Sequence, residues 1–154
     1  MQRKVVIRMK KYLFFLLVCM VCGLFFTGCQ STNLKGNVEK PTWTESDEND
    51  YTSSMTAVVR VDLKAAYKEA ADDWQLNEAD LLAAFAGERC LDVESPDDGL
   101  FYLYIPGMEG DVTLRYYSTH YKNLFVAADA FTFKNDDRLG TVAEPFIPIF
   151  AVEK

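Results

Sequence analysis

The sequence predicts an all-β fold, an antiparallel β-sandwich of the immunoglobulin-like or a similar kind, over residues 55–152. Three observations support it. Apolar and polar side chains alternate with a period of two, which gives each strand one buried face. Seven or eight such segments follow one another at a spacing of about 8–12 residues, as in sandwiches. Turn-forming Gly, Pro and Asp residues separate most of them.

The first strand is predicted from Met55 to Leu63, where apolar residues occupy every second position. Short apolar segments follow at 81–86 and 89–94. Gly87 and Glu88 lie between them and fit a hairpin turn, because glycine tolerates a positive φ. The sequence therefore predicts a β-hairpin here, with Cys90 facing the core opposite residues 81–85.

The later strands are separated by equally clear turn signals. Ser95 to Gly99 form a dense turn, and a second turn lies between Pro106 and Asp111. Strands are predicted at 101–105, 112–117, 123–127, 131–134 and 146–152. Residues 139–145, with Gly140 and Pro145, are expected to lead into an edge strand, where a proline is tolerated. The side chains predicted to be buried are Met55, Val59, Val61, Phe85, Cys90, Leu103, Ile105, Val112, Leu114, Phe131 and Phe133.

One segment departs from the β pattern. Residues 64–77 are rich in Ala, Lys and Glu and predict a short helical insertion of two or three turns, with Asn77 capping a further turn. Propensity alone is a weak guide, so a non-helical conformation stays open for this segment.

The first 28 residues are predicted to be a signal peptide. Five basic side chains precede an uncharged run at 12–26, and small residues then lead to Cys29. A retained transmembrane anchor is the alternative, but spanning a bilayer takes about 20 apolar residues. A plain cleaved signal without lipid is the other alternative.

The end of this signal, Phe26-Thr27-Gly28-Cys29, resembles the lipobox of bacterial lipoproteins, although the family usually has Leu where Phe26 stands. The resemblance implies cleavage after Gly28, a diacylglyceryl thioether on Cys29 and acylation of the new amino group. Gln30 stands where an Asp would resemble an inner-membrane retention signal, which favours the outer membrane.

Residues 29–54 are predicted to be the lipidated Cys followed by a flexible tether, because they are rich in polar residues and end in an acidic run. Trp43 is the exception and is expected to dock on the domain.

Removal of residues 1–28 leaves 11 basic and 23 acidic side chains, a net charge of −12. Such a chain repels phosphate backbones, which excludes nucleic acid as a partner. It also repels anionic lipid, so the membrane attachment is expected to be covalent.

The sequence offers little for catalysis. Cys19 and Cys22 belong to the signal, so Cys90 has no disulfide partner, and it is interpreted as a small core hydrophobe rather than a reactive thiol. His120 is the only histidine. It has no second His and no further unlipidated Cys beside Cys90, so no Cys/His metal cluster can form. The protein is therefore predicted not to be an enzyme and to hold no metal or cofactor.

Several motifs in order resemble a known module. Residues 54–59 read Ser-Met-Thr-Ala-Val-Val, 80–90 Asp-Leu-Leu-Ala-Ala-Phe-Ala-Gly-Glu-Arg-Cys, 101–107 Phe-Tyr-Leu-Tyr-Ile-Pro-Gly, 115–117 Arg-Tyr-Tyr and 138–145 Arg-Leu-Gly-Thr-Val-Ala-Glu-Pro. This set resembles a small β-sandwich module that recurs in lipoproteins and secreted proteins of Bacteroides-like bacteria. The resemblance implies the fold over about a hundred residues, and it implies no activity and no ligand residues.

A candidate binding face follows from strand alternation. If Phe101, Leu103 and Ile105 point inward, Tyr102 and Tyr104 point outward, and Arg115 and Tyr117 are expected outward on the next strand. Tyrosines are favoured at protein interfaces and stack on sugar rings. Two functions are predicted from this face: a structural or protein-interaction module of the cell envelope, or a surface glycan-binding module of a polysaccharide-uptake system. The opposing interpretation is that residues 64–77 cover the tyrosines as secondary core.

Overall fold

The computed structural model describes residues 34–47, 51–67, 74–107 and 110–153. The predicted signal peptide, Cys29 and the start of the predicted tether lie outside them. None of the helices formed by the described residues has the length and apolar character needed to span a membrane.

The described residues form nine strands and one short helix. In chain order these are β1 (Ser53–Val59), α1 (Leu63–Ala66), β2 (Leu81–Ala86), β3 (Arg89–Glu94), β4 (Phe101–Gly107), β5 (Asp111–Ser118), β6 (Asn123–Ala127), β7 (Phe131–Thr132), β8 (Arg138–Leu139) and β9 (Phe150–Val152).

The strands make two sheets that pack against each other, which confirms the predicted all-β sandwich. The small sheet has the order β4-β1-β8, and the large sheet has the order β3-β2-β5-β6-β9, with β7 paired to β5. All pairs are antiparallel except β1 with β8, which is parallel. β4 and β5, consecutive in the chain, therefore lie in different sheets.

The small sheet shows the alternation that predicted it. Met55, Ala57 and Val59 of β1 are buried between the sheets, while Thr56 is exposed. The parallel partner of β1 is β8, an edge strand of two residues. After β8 the chain contacts β1 again at Phe146, whose N–H donates to the carbonyl of Val58. The edge strand into which residues 139–145 were predicted to lead is β9 (Phe150–Val152), which lies at the edge of the large sheet.

The hairpin predicted at Gly87 and Glu88 is confirmed, since β2 ends at Ala86 and β3 begins at Arg89. Gly87 has a φ of 61°, the left-handed conformation that such turns require. The register between the two strands shifts between Ala84 and Phe85, which marks a bulge.

The residues predicted to be buried are buried, except Phe131, which is only partly buried. Two of them lie outside the core between the sheets. Phe85 and Cys90 form a separate cluster with Ala83, packed by Trp43 and Val93, rather than joining the core between the sheets. Cys90 is buried against β2 as predicted, but in this second cluster, and the neighbouring Leu91 faces the core between the sheets instead.

The helix is shorter than predicted where it is described. α1 covers four residues, Asp62 caps it by accepting from the N–H of Lys64, and Tyr67 ends it in an extended conformation. Residues 68–73 lie outside the described residues, and 74–77 form no helix. The hydroxyl of Tyr67 accepts from the N–H of Val152 on the edge strand β9. Asn77 does cap a turn, by accepting from the N–H of Ala79.

Residues 34–47 lie along the domain, which corrects the prediction of a flexible tether for that part of 29–54. Leu34 is buried in the main core. The N–H groups of Gly36 and Val38 donate to the carbonyls of Tyr121 and Lys122. These bonds offset the cost of ordering an otherwise polar segment. We call residues 34–47 the strap.

Candidate functional site

The four residues predicted to form one binding face do not lie on one face. Tyr102 and Tyr104 belong to β4 in the small sheet, and Arg115 and Tyr117 belong to β5 in the large sheet. Strand alternation correctly placed the two β4 tyrosines outward. The assumption that β4 and β5 are neighbours in one sheet was wrong.

Tyr102 and Tyr104 are exposed, with 40% and 45% of their surface accessible. Their register partners on β1 are Val58 and Thr56, and Arg138 of β8 is the partner of Thr56 on the other side. Thr56 and Arg138 are exposed and Val58 is half-buried. Because partners across a sheet share a face, these five residues form one surface, the tyrosine patch.

Arg115 contacts neighbouring side chains on the outer face of the large sheet. Its guanidinium lies 4.4 Å from the centre of the Phe85 ring, a cation–π contact. It also lies 3.5 Å from a carboxylate oxygen of Glu88 and 4.0 Å from one of Glu153. These contacts hold Arg115 in place, although its buried Nε atom has no hydrogen-bond partner among the described residues.

Tyr117 is buried at 4% exposure because the strap covers it. Its hydroxyl donates a hydrogen bond of 3.1 Å to the carbonyl of Val38. Further along the strap, Trp43 packs edge-to-face on Phe85 with ring centres 5.5 Å apart, and the Ser46 hydroxyl donates to the carbonyl of Cys90. The docking of Trp43 confirms its prediction. The strap therefore covers Tyr117 and makes it secondary core. Residues 68–73 of the segment that was expected to cover the tyrosines lie outside the described residues.

A buried carboxylate lies behind the tyrosine patch. Asp92 of β3 is 6% exposed and accepts a 2.7 Å hydrogen bond from the N–H of Tyr104, which joins the large sheet to the small one. Burial raises the pKa of Asp92 to about 6, and the negative charges of Glu94 and Glu45 add to that rise. The strap residue Glu45 thus acts electrostatically on the group that holds Tyr104 in place.

Cys90 does not have the character of a nucleophile. Burial, followed by the charges of Asp92 and Glu45, raises the pKa of the thiol to about 11. The thiol donates to the carbonyl of Asp92 at 3.6 Å. His120, the single histidine of the sequence, is exposed and contacts the ring of Tyr121 edge-on.

Asp80 is the polar residue that the sequence reasoning missed. It is fully buried, and its carboxylate accepts from the Tyr116 hydroxyl, from the N–H and hydroxyl of Thr119, and from the N–H of Asn77. A charged residue directly before an apolar strand was the available signal. With four donors already bound, this carboxylate has a structural role.

A cavity of about 260 Å³ opens where β2 turns into β3 and β4 turns toward β5. Buried Leu91, Val112 and Phe133 line it together with the exposed polar residues Arg89 and Asp111. The guanidinium of Arg89 donates to the hydroxyl of Tyr51 at its edge. The cavity is large enough for an apolar side chain or a very small ligand.

Across the described ranges, no group of three or more His, Cys, Asp or Glu side chains is arranged to hold a metal ion. The chain has no significant match among protein-family models, curated proteins or solved structures. The functional argument therefore depends on the residues and surfaces described above.

Proposed function

We propose that the mature protein is a lipid-anchored protein of the bacterial outer membrane, and that its domain is a non-catalytic interaction module. The tyrosine patch is the single observation that carries the proposed interaction. Tyr102 and Tyr104 expose large rings on the same face of a regular strand, and Arg138 lies on that face two strands away, beyond Thr56. Tyr and Arg are the residue types most often found at the energetic centre of protein interfaces.

The architecture supports a role without turnover. The buried carboxylates Asp80 and Asp92 are both bound by donors of the fold, and the thiol of Cys90 has a raised pKa. Groups tuned for acid–base work have pKa values near the operating pH and face a cleft; the pKa of Asp92 is about 6, but its carboxylate is buried and bound by the N–H of Tyr104. The tyrosine patch is a surface on a rigid sheet, which suits recognition of another molecule.

The anchor is tested with the substitution Cys29→Ser. We expect the parent protein to fractionate with the membrane and the variant to accumulate unprocessed or to be released. A variant that is processed and membrane-bound like the parent contradicts the anchor, because no thioether can form on serine.

The tyrosine patch is tested with the double variant Tyr102→Ala/Tyr104→Ala. Aromatic contacts are worth about 0.5–1.5 kcal/mol each beyond burial, so we expect partner binding to weaken about tenfold or more. The matched control is Ile147→Ala/Ile149→Ala, which removes side chains of similar exposure, 46% and 58%, outside the patch. The readout is cross-linking in intact cells from a photoreactive residue at Thr56. Unchanged cross-links in the tyrosine variant contradict the proposal.

A surface glycan is the second candidate partner. Two exposed rings separated by one residue on a strand form a flat aromatic platform, the kind of surface on which sugar rings stack. Binding of the soluble domain to a glycan array, lost in the tyrosine variant and kept in the isoleucine variant, supports this candidate. Cross-links to one protein in cells together with no array signal favour the protein partner.

A further inference from the structure

The strap is held at one corner of the sandwich. Asn123 donates from its side-chain amide to the carbonyl of Leu34 at 3.1 Å, and Gly36 and Val38 donate to the carbonyls of Tyr121 and Lys122 at 2.8 and 2.9 Å. These partners belong to the turn between β5 and β6 and to the first residue of β6. We call this surface the β5–β6 corner.

The fit at Gly36 is close. A Cβ atom there would lie 2.7 Å from the carbonyl oxygen of Lys122 and 2.8 Å from the Asn123 side chain. A side chain at position 36 would therefore force the strap away from the corner. The attachment depends on this glycine as well as on the hydrogen bonds.

This attachment limits the reach of the chain. Five residues of extended chain span at most about 18 Å, so the cysteine at position 29 cannot lie further than that from Leu34. A free tether running to residue 54 could span about 80–90 Å. If Cys29 carries the lipid, the β5–β6 corner is held beside the headgroups instead of far above them.

We propose that the β5–β6 corner is the surface of the domain that contacts the lipid headgroups. The inference rests on the proposed lipidation of Cys29. Lys35, His120 and Lys122 are exposed at this corner, and a lysine near an anionic headgroup contributes about 1 kcal/mol. The two lysines locally offset part of the net charge of −12, against the exposed carboxylates Glu39, next to Val38, and Glu78, two residues before Asp80.

The turn that contains Asp97 and Asp98 lies at the same end of the strands as the β5–β6 corner, but at the opposite edge of the large sheet. Asp97 and Asp98 follow β3, and β3 is separated from β6 by β2 and β5. At about 4.8 Å per strand, the two turns are about 14 Å apart. The short chain between Cys29 and Leu34 therefore favours the β5–β6 corner as the point of contact, and attraction of Lys35 and Lys122 to anionic lipid adds to it.

The register then places the cavity on the side away from the bilayer. Leu81 pairs with Tyr117 near the corner, and Phe85 pairs with Thr113 toward the other end of the same strands. The turn at Gly87 and Glu88, next to the cavity, therefore lies at the end of the sandwich opposite the β5–β6 corner. This orientation leaves the cavity open to a partner in the aqueous phase.

Short-range fluorescence quenching tests the orientation. The lipidated full chain is purified from bacterial membranes and placed in phosphatidylethanolamine–phosphatidylglycerol vesicles that carry a nitroxide on the headgroup. A small fluorophore is attached at His120→Cys or at Glu88→Cys. The buried Cys90 thiol, with its pKa raised to about 11, reacts slowly at neutral pH. We expect strong quenching at position 120 and little at position 88.

Two further variants test whether the attachment of the strap, and not the lipid anchor alone, sets the orientation of the domain. Gly36→Val should release the strap and remove most of the quenching at position 120, while Asn37→Val, one residue away and exposed, should not. An insertion of about ten Gly and Ser residues before Asn33 adds about 17 Å of flexible chain and should have the same effect as Gly36→Val. Equal quenching at positions 120 and 88, or no response to the insertion, overturns the orientation.

Flotation distinguishes this failure from failure of the anchor. Protein that floats with the vesicles but shows equal quenching at both positions overturns the orientation alone. Protein that does not float, and behaves like its Cys29→Ser variant, overturns the proposed lipidation and the orientation with it.

Discussion

The hydroxyl of Tyr116 donates a hydrogen bond of 2.6 Å to the carboxylate of Asp80, and both side chains are fully buried. Asp80 directly precedes β2, and Tyr116 lies near the end of β5, so the pair fixes the register of two central strands of the large sheet. Burial and the neighbouring carboxylate raise the pKa of Tyr116 well above its usual range, which keeps the hydroxyl a donor.

The substitution Asp80→Asn should destabilise the domain by about 2–4 kcal/mol, because an amide group replaces an acceptor that serves four donors. The measurement is urea unfolding followed by tyrosine and tryptophan fluorescence. Tyr116→Phe, which removes one donor and keeps the ring, should cost less than Asp80→Asn. An unchanged urea midpoint for Asp80→Asn would show that the network adds nothing to stability.

Asp92 makes stability depend on pH. Its pKa in the folded protein, about 6, exceeds the ordinary value of 3.8, so the folded state binds the extra proton between these values. The contribution of Asp92 to the free energy of unfolding is therefore greatest below about pH 4. It falls by about 1–3 kcal/mol as the pH rises through 6. Urea unfolding of the parent and of Asp92→Asn across this range checks it. The Asp92→Asn variant should not show this decrease in stability between pH 4 and 6.

Glu45 on the strap should contribute to that behaviour from a distance. Its charge raises the pKa of Asp92, so Glu45→Gln should lower that pKa and make the decrease in stability smaller. Nuclear magnetic resonance titration of the Asp92 carboxyl measures the shift directly. The matched control is Glu144→Gln, an exposed carboxylate in the segment between β8 and β9. An equal effect of both variants contradicts a local role for Glu45.

The fold was predictable because alternation and turn chemistry are local properties. The hairpin at Gly87 and the outward positions of Tyr102 and Tyr104 follow from a few neighbouring residues. The sheet to which each strand belongs depends on contacts between residues far apart in the chain. Short turns usually join neighbours in one sheet, and the connection from β4 to β5 crosses between sheets instead. The prediction that Tyr102, Tyr104, Arg115 and Tyr117 share one face was wrong because it assigned β4 and β5 to the same sheet.

The strap could not be predicted for a related reason. Its composition is that of a linker, and its stability comes from backbone hydrogen bonds and from Leu34, Trp43 and Ser46 reaching separate sites on the domain. Those sites exist only once the sheet has formed. Composition alone predicts disorder here, while the indole of Trp43 was the one local sign of docking.

Gly140 should tolerate no side chain. Its φ is 75°, and a Cβ atom would lie 2.5 Å from the N atom of Phe146 and 2.6 Å from the carbonyl oxygen of Val58. Gly140→Ala should therefore cost both backbone strain and the contact of residue 146 with β1, about 2–4 kcal/mol. Gly99→Ala is the matched control, since its φ is 79° and a Cβ atom there has no neighbour within 4 Å. Equal losses in urea unfolding would attribute the whole effect to φ.

Trp43 should control access to the only cysteine among the described residues, Cys90. The indole packs on Phe85, which pairs with Cys90 across the β2–β3 hairpin, and Ser46 of the same strap binds the Cys90 carbonyl. Trp43→Ala should loosen this cover, hydrate the thiol and lower its pKa toward the ordinary value, since burial is the largest cause of the rise. Alkylation by iodoacetamide near pH 8 should therefore become severalfold faster. Thr44→Ala, an exposed neighbour on the strap, should leave the rate unchanged. If the Trp43 variant reacts as slowly as the parent while both remain folded, Cys90 is protected by the sheet and not by the strap.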